Sequence, residues 1–484
     1  MIRNVLCLTL DSILGRQHHA RYRELLSLQR FNKTEMARIQ QQKLCAFLLH
    51  TYQHVDYYRA ILSQAEVVDD NGQVHLDRFQ NIPFLTKGTL RSRFEDLKSD
   101  DLSQRRWQEN TSGGSTAEPV RFIQDMNYHD NMLAVKALFD SWSGCPPGHK
   151  KALLWGAERD LYVGKITWHV RGSRWLRNQV WLNAFRMGMG NMEQYVAILN
   201  QFKPDQILAY AESLHELAQF IKSKNLPVCS PKAVMTSAGM LYPHMRKLFA
   251  ETFHAPVFNR YGTREVGDIA CECDRHEGLH WIPSIHYVEV LRPDGSLADP
   301  GEEGEIAITL LTNYAMPMIR YKIGDRGAMS DKLCSCGRAL PLLEEIVGRV
   351  TDPFIRKEGG VVSSVYFSCL IGSILNKGMI KKFQVIQEDY EVIRINLVPS
   401  YGIKSQEGLL NIPELKDMEK KIKVIMGKDC VVRVDLVEDI LPTSSGKYRN
   451  IFSLINQTIK GSYLAFTILM IKISSRKTLT TIKA

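Results

Sequence analysis

No apolar run in this 484-residue chain reaches the roughly 18–20 residues that a membrane-spanning helix needs, so a helical membrane protein is not expected. Met1 to Gly15 holds an apolar patch, but Asp11 interrupts it and no small-residue cleavage site follows. No signal peptide is read there, and a cytoplasmic location is the expectation. There is no internal repeat, and no basic–aromatic pattern of the kind that reads nucleic acid. The net charge of +10 does not restore that reading. Residues 457–484 contain Lys460, Lys472, Arg476, Lys477 and Lys483 and no acid, so half the excess sits in an atypical tail. The apolar stretch Tyr463–Ile471 within it reads as an irregular end rather than as a membrane contact. The one glycine-rich loop that stands out is not followed by Gly-Lys-Ser/Thr, which excludes a Walker A nucleotide site.

What is present is ordinary in bulk and specific in detail. Hydrophobic residues make up 44% and charged residues 24%, a globular composition, and the length allows two or more domains. Residues 20–65 repeat apolar positions at helical spacing, and Thr86 is placed to cap a helix starting near Lys87. Residues 157–183, rich in Arg and Trp, read as a solvated face, and elsewhere from 120 onward short β-type runs, among them Ala152–Gly156, Gln206–Tyr210 and Ala233–Thr236, alternate with helical segments at 127–141, at 212–224 with Ser213 near its start, and at 243–253. That alternation predicts an α/β body with a largely parallel sheet. Tyr287–Leu291 and Gly304–Leu310, joined through Arg292-Pro293-Asp294-Gly295, read as antiparallel. Beyond about 350 the pattern restarts with strands at 383–387, 392–398 and 431–437 and a helix at 415–426. The expected organisation is a large multi-sheet N-terminal domain, 1–348, with a helical start over about 1–80. A small mobile α/β C-terminal domain follows over 349–456, and then the tail 457–484.

The loop Thr111-Ser112-Gly113-Gly114-Ser115-Thr116-Ala117-Glu118-Pro119 concentrates glycines and hydroxyls. Glycines let backbone N–H groups converge on an anion, and hydroxyls add donors, so the loop suits a polyphosphate. Three further words follow it in order: Tyr261-Gly262-Thr263-Arg264-Glu265, Arg320-Tyr321-Lys322-Ile323-Gly324-Asp325, and Pro442-Thr443-Ser444-Ser445-Gly446-Lys447. Gly348-Arg349 stands between the last two.

Together these words resemble the adenylate-forming superfamily of acyl-CoA synthetases, adenylation domains and luciferases, over about residues 80–455. The finer match is to the phenylacetate–CoA ligase branch, nearest its members associated with capsular polysaccharide biosynthesis. It is carried by Asn259–Glu265, Asn313–Tyr321 and Cys334-Ser335-Cys336-Gly337-Arg338. The resemblance implies an ATP-dependent ligase that converts a small carboxylic acid into its acyl-adenylate and passes the acyl group to CoA. It implies that Ser112, Gly113, Gly114, Ser115 and Thr116 cradle phosphate, and that Ala238, Gly239, Tyr261, Gly262 and Thr263 border the nucleotide. Glu265 would hold Mg²⁺, and Asp325 the ribose with Arg349 close by. Lys447 would promote adenylation from the small domain, which would turn about a hinge at Asp352.

The chemistry agrees, because activation at the α-phosphate needs positioning and charge neutralisation more than covalent help. Two departures are expected to weaken phosphate binding without removing it. Ala117 stands where the family has glycine, and Arg264 stands where many members have threonine, its guanidinium still expected to reach an α-phosphate.

Cys273, His280, Cys334 and Cys336 form a second constellation, with Cys271 and His276 as spares. Three thiolates and an imidazole suit tetrahedral zinc in a closed, structural site. Some members of the branch carry such a metal. Two further readings stay open. In one, the activated acyl or aminoacyl group goes to a sugar or amine without CoA, during surface-polysaccharide assembly. In the other, the chain is an inactive relative that only binds nucleotide. The residues lining the acid pocket are expected within 180–240.

Overall fold

The computed structural model describes residues 11, 15–112, 120–155, 168–184, 187–239, 241, 243–348, 354–362, 366–367, 370–371, 380–399, 412–440 and 451–455. Two compact units separate, one of Met1–Ser112 with Val120–Val350, the other containing the chain from Thr351.

The first unit opens with three helices, α1 (His18–Leu28), α2 (Lys33–His54) and α3 (Asp56–Gln64). Helix α2 starts where it does because Asn32 and Glu35 form a reciprocal capping box, with both bonds at 2.9 Å. Thr86 caps α4 (Lys87–Ser92) as the sequence indicates, its Oγ1 accepting the Thr89 N–H at 3.1 Å. A hairpin of β1 (Trp107–Thr111) and β2 (Arg121–Asp125) then leads into α5 (Met126–Trp142), whose N-cap is Asp125.

Next come β3 (Lys151–Trp155), α6 (Trp168–Leu176), β4 (Gln179–Asn183), α7 (Met189–Phe202), β5 (Gln206–Tyr210), α8 (Ala211–Ser223), β6 (Ala233–Ser237), α9 (Pro243–Phe253) and β7 (Val257–Thr263). Strands β3 to β7 pair parallel in the order β4-β3-β5-β6-β7. At β7 the pairing turns antiparallel and continues through β8 (Gly267–Glu272), β9 (Leu279–Trp281), β13 (Leu342–Gly348), β12 (Tyr321–Ser330), β11 (Glu303–Leu310) and β10 (His286–Leu291). The parallel and antiparallel parts read separately in the sequence are thus one ladder of eleven strands.

Alternation along the parallel strands explains how the sheet is buried on both sides. Leu153, Leu208, Met235 and Phe258 face the core shared with the N-terminal helices and α5. Their immediate neighbours Leu154, Ile207, Ala209 and Val257 face the core built with α7, α8 and α9. Side chains two apart share a face, so a continuous apolar run serves two layers of helices.

Three elements differ from the sequence reading. The Arg- and Trp-rich stretch expected to be a solvated face contains helix α6 and strand β4. Ser213, near the start of α8, does not cap it, and donates instead to Ala184 O at 3.0 Å. The Gly-Asp word at 324–325, not recognised as extended, lies inside the ten-residue strand β12.

The second unit holds the short pair β14 (Phe354–Ile355) and β15 (Val361–Val362). Beside it is a four-stranded sheet ordered β18 (Val431–Leu436), β17 (Val392–Pro399), β16 (Ile380–Asp389), β19 (Ile451–Ser453), with α10 (Pro413–Met426). Among the described residues no helix is long and apolar enough to cross a membrane.

Candidate active site

Sequence-distant groups converge where β1–β2, β7–β8 and β12 meet. The hairpin is closed at its tip by Ser112, whose N–H donates to Val120 O at 2.9 Å while its Oγ accepts the Val120 N–H at 3.1 Å. Ser112 is therefore buried and pins the base of the loop. Gly113, Gly114, Ser115, Thr116 and Ala117 lie outside the described residues, as do Arg349, Asp352 and Lys447.

The β7–β8 connection is a tight turn. Thr263 Oγ1 accepts the Val266 N–H at 3.3 Å, and Gly267 takes φ +80°. Gly262 is required for steric reasons, since a Cβ there would stand 2.5 Å from Gly267 O. A bulge between Tyr261 and Gly262 re-aims the strand end, a device common beside active sites. Glu265 sits in the turn, 2% exposed, with Tyr321 Oη donating to its Oε1 at 3.4 Å.

Asp325 is brought in by a second irregularity. Glu305 pairs with Arg326 and Ala307 with Lys322, so Ile323, Gly324 and Asp325 oppose the single residue Ile306. Gly324 permits this with φ +87°. Tyr261 Oη then donates to Asp325 Oδ2 at 2.8 Å. Ala238 and Gly239 follow β6, whose last pair with β7 is Thr236–Asn259, two residues before Tyr261. Ala238 holds φ +64°, a left-handed conformation that costs a non-glycine residue of order 1 kcal/mol.

Sequence reasoning missed the residues that hold these pieces together. Gln124 Nε2 donates to the carbonyls of Arg264 (3.1 Å) and Glu265 (3.2 Å). Arg264 donates to Thr111 O at 3.2 Å, tying the hairpin to the Glu265 turn; the sequence reading had its guanidinium reaching toward a phosphate. His286 Nε2–H donates to Val266 O at 2.9 Å. Gln124 and His286 belong to no motif, and the motif that contains Arg264 does not announce its contact with Thr111. Arg320, which opens the Arg-Tyr-Lys-Ile-Gly-Asp word, is a structural residue. It is 2% exposed, pairs with Glu289 at 3.0 Å, and donates to Gln80 O and Ile82 O at 2.6 Å each.

His286 has a consequence for pH. Burial lowers its pKa from 6.5 to about 4. Between those values the unfolded chain takes up a proton here and the folded chain does not. Its contribution is thus intact above pH 6.5 and falls with pH, by about 2 kcal/mol between pH 7 and 5. His286→Gln keeps a donor for Val266 and should flatten that loss, read as a smaller difference in urea midpoint between pH 7 and 5 than in the parent. An unchanged difference would remove His286 as the titrating group.

The cysteine constellation also assembles. Cys273 follows β8, His280 lies in β9, and Cys334 and Cys336 occupy the turn after β12. Their four ligand atoms lie within 4.8 Å of one another. Cys273 Sγ and Cys334 Sγ are 3.6 Å apart, and Cys336 Sγ is 3.4 Å from His280 Nε2. A tetrahedral zinc with bonds near 2.3 Å to sulfur would set sulfurs about 3.8 Å apart. His280 Nδ1–H donates to Leu340 O at 3.1 Å, which leaves the Nε2 lone pair facing Cys336. Backbone N–H groups of Arg275 and Arg338 point at Cys273 Sγ and Cys336 Sγ, at 3.4 Å each. The donor set and spacing fit zinc, and the cluster's burial suits a structural ion. The spares do not join: Cys271 is outside the cluster, and His276 is engaged by Glu272 at 3.0 Å.

The comparisons with known proteins agree with this picture. Residues 354–454 match the family model described as the CapK C-terminal domain. Protein CapK of Staphylococcus aureus is 23% identical over 440 residues, covering 88% of this chain and 91% of its own. Phenylacetate-coenzyme A ligase of Escherichia coli K12 is 26% identical, over 87% of this chain and 95% of its own. Among solved structures, 2-hydroxyisobutyryl-CoA ligase in complex with 2-HIB-AMP and CoA superposes with a TM-score of 0.55 at 16% identity, covering 90% of this chain and 92% of that one. The chain's homologues are CapK and the phenylacetate–coenzyme A ligases, and its fold is that of the adenylate-forming acyl-CoA ligases.

Proposed function

We propose that this chain uses ATP to activate a carboxylic acid as its acyl-adenylate and passes the acyl group to CoA. The observation that carries this reading is the convergence of Tyr261, Asp325 and Glu265 on one end of the sheet, beside the closed base of the 112–120 loop. The relatives named as phenylacetate–CoA ligases support the same chemistry.

In this reading Asp325 binds the ribose. A carboxylate offers about four acceptor sites, so accepting from Tyr261 does not preclude two ribose hydroxyls. Tyr261 and the Ala238-Gly239 backbone border the adenine. Glu265 would hold Mg²⁺, which supplies charge neutralisation at the phosphates. Gly113 to Thr116 would cradle phosphate, Arg349 would stand by the ribose, and Lys447 would cover charge developing between carboxylate and α-phosphate. Residues 349–456 would act as the mobile domain that presents Lys447. Cys273, His280, Cys334 and Cys336 would hold a structural zinc that ties β8 and β9 to the turn after β12.

The test is acid-dependent exchange of labelled pyrophosphate into ATP, screened over aryl, fatty and amino acids with and without CoA. Exchange with some acid, followed by CoA-dependent release of AMP, is the expected result. No exchange with any of them would leave a nucleotide-binding relative without catalysis. A second reading is transfer to a sugar or amine without CoA. It predicts exchange without CoA-dependent AMP release, and AMP release on adding the amine or sugar acceptor.

For the metal, purified protein is expected to contain about one zinc per chain by elemental analysis. Cys336→Ser should lose most of it and lower the melting temperature. Full zinc content in that variant would dismiss the four-ligand assignment.

A further inference from the structure

We infer that the acid this chain activates bears a ring carrying hydroxyl or amino groups, held in a cavity between helix α5 and the face of β3, β4 and β5. The inference rests on the adenylation reading and adds the substrate class to it. The cavity measures about 580 Å³, room for a guest larger than a short aliphatic acid.

Its walls come from alternating strand positions, from helix α5, from the start of α1 and from the loop 145–150. Leu153 and Trp155 of β3, Trp181 of β4 and Leu208 of β5 line it, facing α5. Two indoles in one cavity suit a flat ring more than a flexible chain. The sequence had placed the acid pocket within 180–240; Trp181, Gln206 and Leu208 fall there, but α5 and β3 contribute as much.

The polar part of the lining is unusual. Asp140 Oδ1, Trp181 Nε1 and Gln206 Oε1 are buried and have no hydrogen-bond partner among the described residues, while Arg260 Nε faces Asp268 Oδ1 at 3.2 Å. All four residues line this one cavity, and Asp140, Gln206 and Arg260 are each more than nine-tenths buried. Folded proteins leave few such atoms, because each costs roughly 1–3 kcal/mol unless a partner arrives. Of the three unpartnered atoms one is a donor and two are acceptors. A hydroxyl can serve either kind, and a hydrocarbon can serve neither. The lining carries five Lys and Arg residues against two Asp, which suits an acid. Asp268 pairs with Arg260 at 3.2 Å and reduces that excess without cancelling it.

The cavity is linked to the proposed reaction centre through neighbours of its lining residues Trp155 and Arg260. The Trp155 and Tyr210 rings lie 4.3 Å apart. Tyr210 pairs with Ser237, which directly precedes Ala238-Gly239, and Arg260 directly precedes Tyr261.

The experiment compares 3,4-dihydroxyphenylacetate with phenylacetate, which shares the ring and carboxylate but has no substituents. Exchange kinetics are measured on the full-length chain, and binding without ATP is followed by tryptophan fluorescence. The dihydroxy acid is expected to show the lower KM and to quench the fluorescence. Trp181→Phe keeps a ring and removes one donor; Gln206→Leu keeps volume and removes an acceptor. Each should raise KM and Kd for the dihydroxy acid roughly 2–10-fold, by more than for phenylacetate, so that the preference for the dihydroxy acid shrinks. Equal use of both acids, or variants that shift both equally, would overturn the substrate class and leave adenylation standing. If no acid supports exchange, adenylation fails, and fluorescence alone decides the cavity. Binding of the dihydroxy acid weakened by Trp181→Phe would uphold it, and no binding would end it.

Discussion

Glu265→Gln is expected to cut acid-dependent pyrophosphate exchange by about 10²–10³-fold while leaving the fold intact. The substitution is isosteric and keeps an oxygen to accept from Tyr321, whose hydroxyl lies 3.4 Å away. The backbone of residue 265 stays held by Gln124, at 3.2 Å. What disappears is one negative charge in a buried turn. If that charge holds Mg²⁺ against the phosphates, its loss weakens transition-state stabilisation, and kcat falls more than ATP affinity. Raised Mg²⁺ should recover part of the activity. Lys447→Ala should abolish exchange as well, by removing the cation from the reacting oxygens. Full exchange in Glu265→Gln, with unaltered Mg²⁺ dependence, would end the metal role assigned to Glu265.

Arg320→Met should destabilise the first unit by about 3–5 kcal/mol, the usual result of leaving a buried charge without its partner. Arg320 and Glu289 are 2% and 1% exposed at the side chain and 3.0 Å apart. The guanidinium also serves the carbonyls of Gln80 and Ile82 and lies over Phe84 at 4.2 Å. It thus fastens the chain after α3 to the antiparallel part of the sheet. Its own residue takes φ +49°, which the surrounding contacts must maintain. Arg320→Met with Glu289→Met should be less damaging than Arg320→Met alone, because no unpaired charge remains. Denaturant midpoints for the two variants and the parent decide this. A single substitution costing under about 1 kcal/mol would mean that water reaches the site and the pair is not the fastening described.

Much of the fold was legible because its periods are clean. Gln206–Tyr210 and Pro243–Phe253 occupy the residues read from pattern alone, since buried parallel strands are short apolar runs and amphipathic helices repeat every three to four positions. Strand β12 was not legible. Its sequence, Tyr-Lys-Ile-Gly-Asp-Arg-Gly-Ala-Met-Ser, has two glycines, and although burial alternates over 321–327 the inward position 325 holds an aspartate instead of an apolar residue. Strand β4 was hidden among tryptophans and arginines for a related reason: part of its face borders a cavity rather than a packed core.

The sequence by itself determined the chemical vocabulary. It set which carboxylates, glycines, thiols and hydroxyls exist, in which order, and which short words they form, since composition and local spacing are properties of the chain. Tertiary structure decided which of those words meet. Tyr261 reaches Asp325 across 64 residues, and Gln124 reaches the Glu265 turn across 141. It also decided that Arg320 is a brace and that Arg264 answers a backbone carbonyl. Such contacts depend on sheet order, bulges and burial, which arise from packing the whole chain at once and leave no mark at the spacing of neighbouring residues.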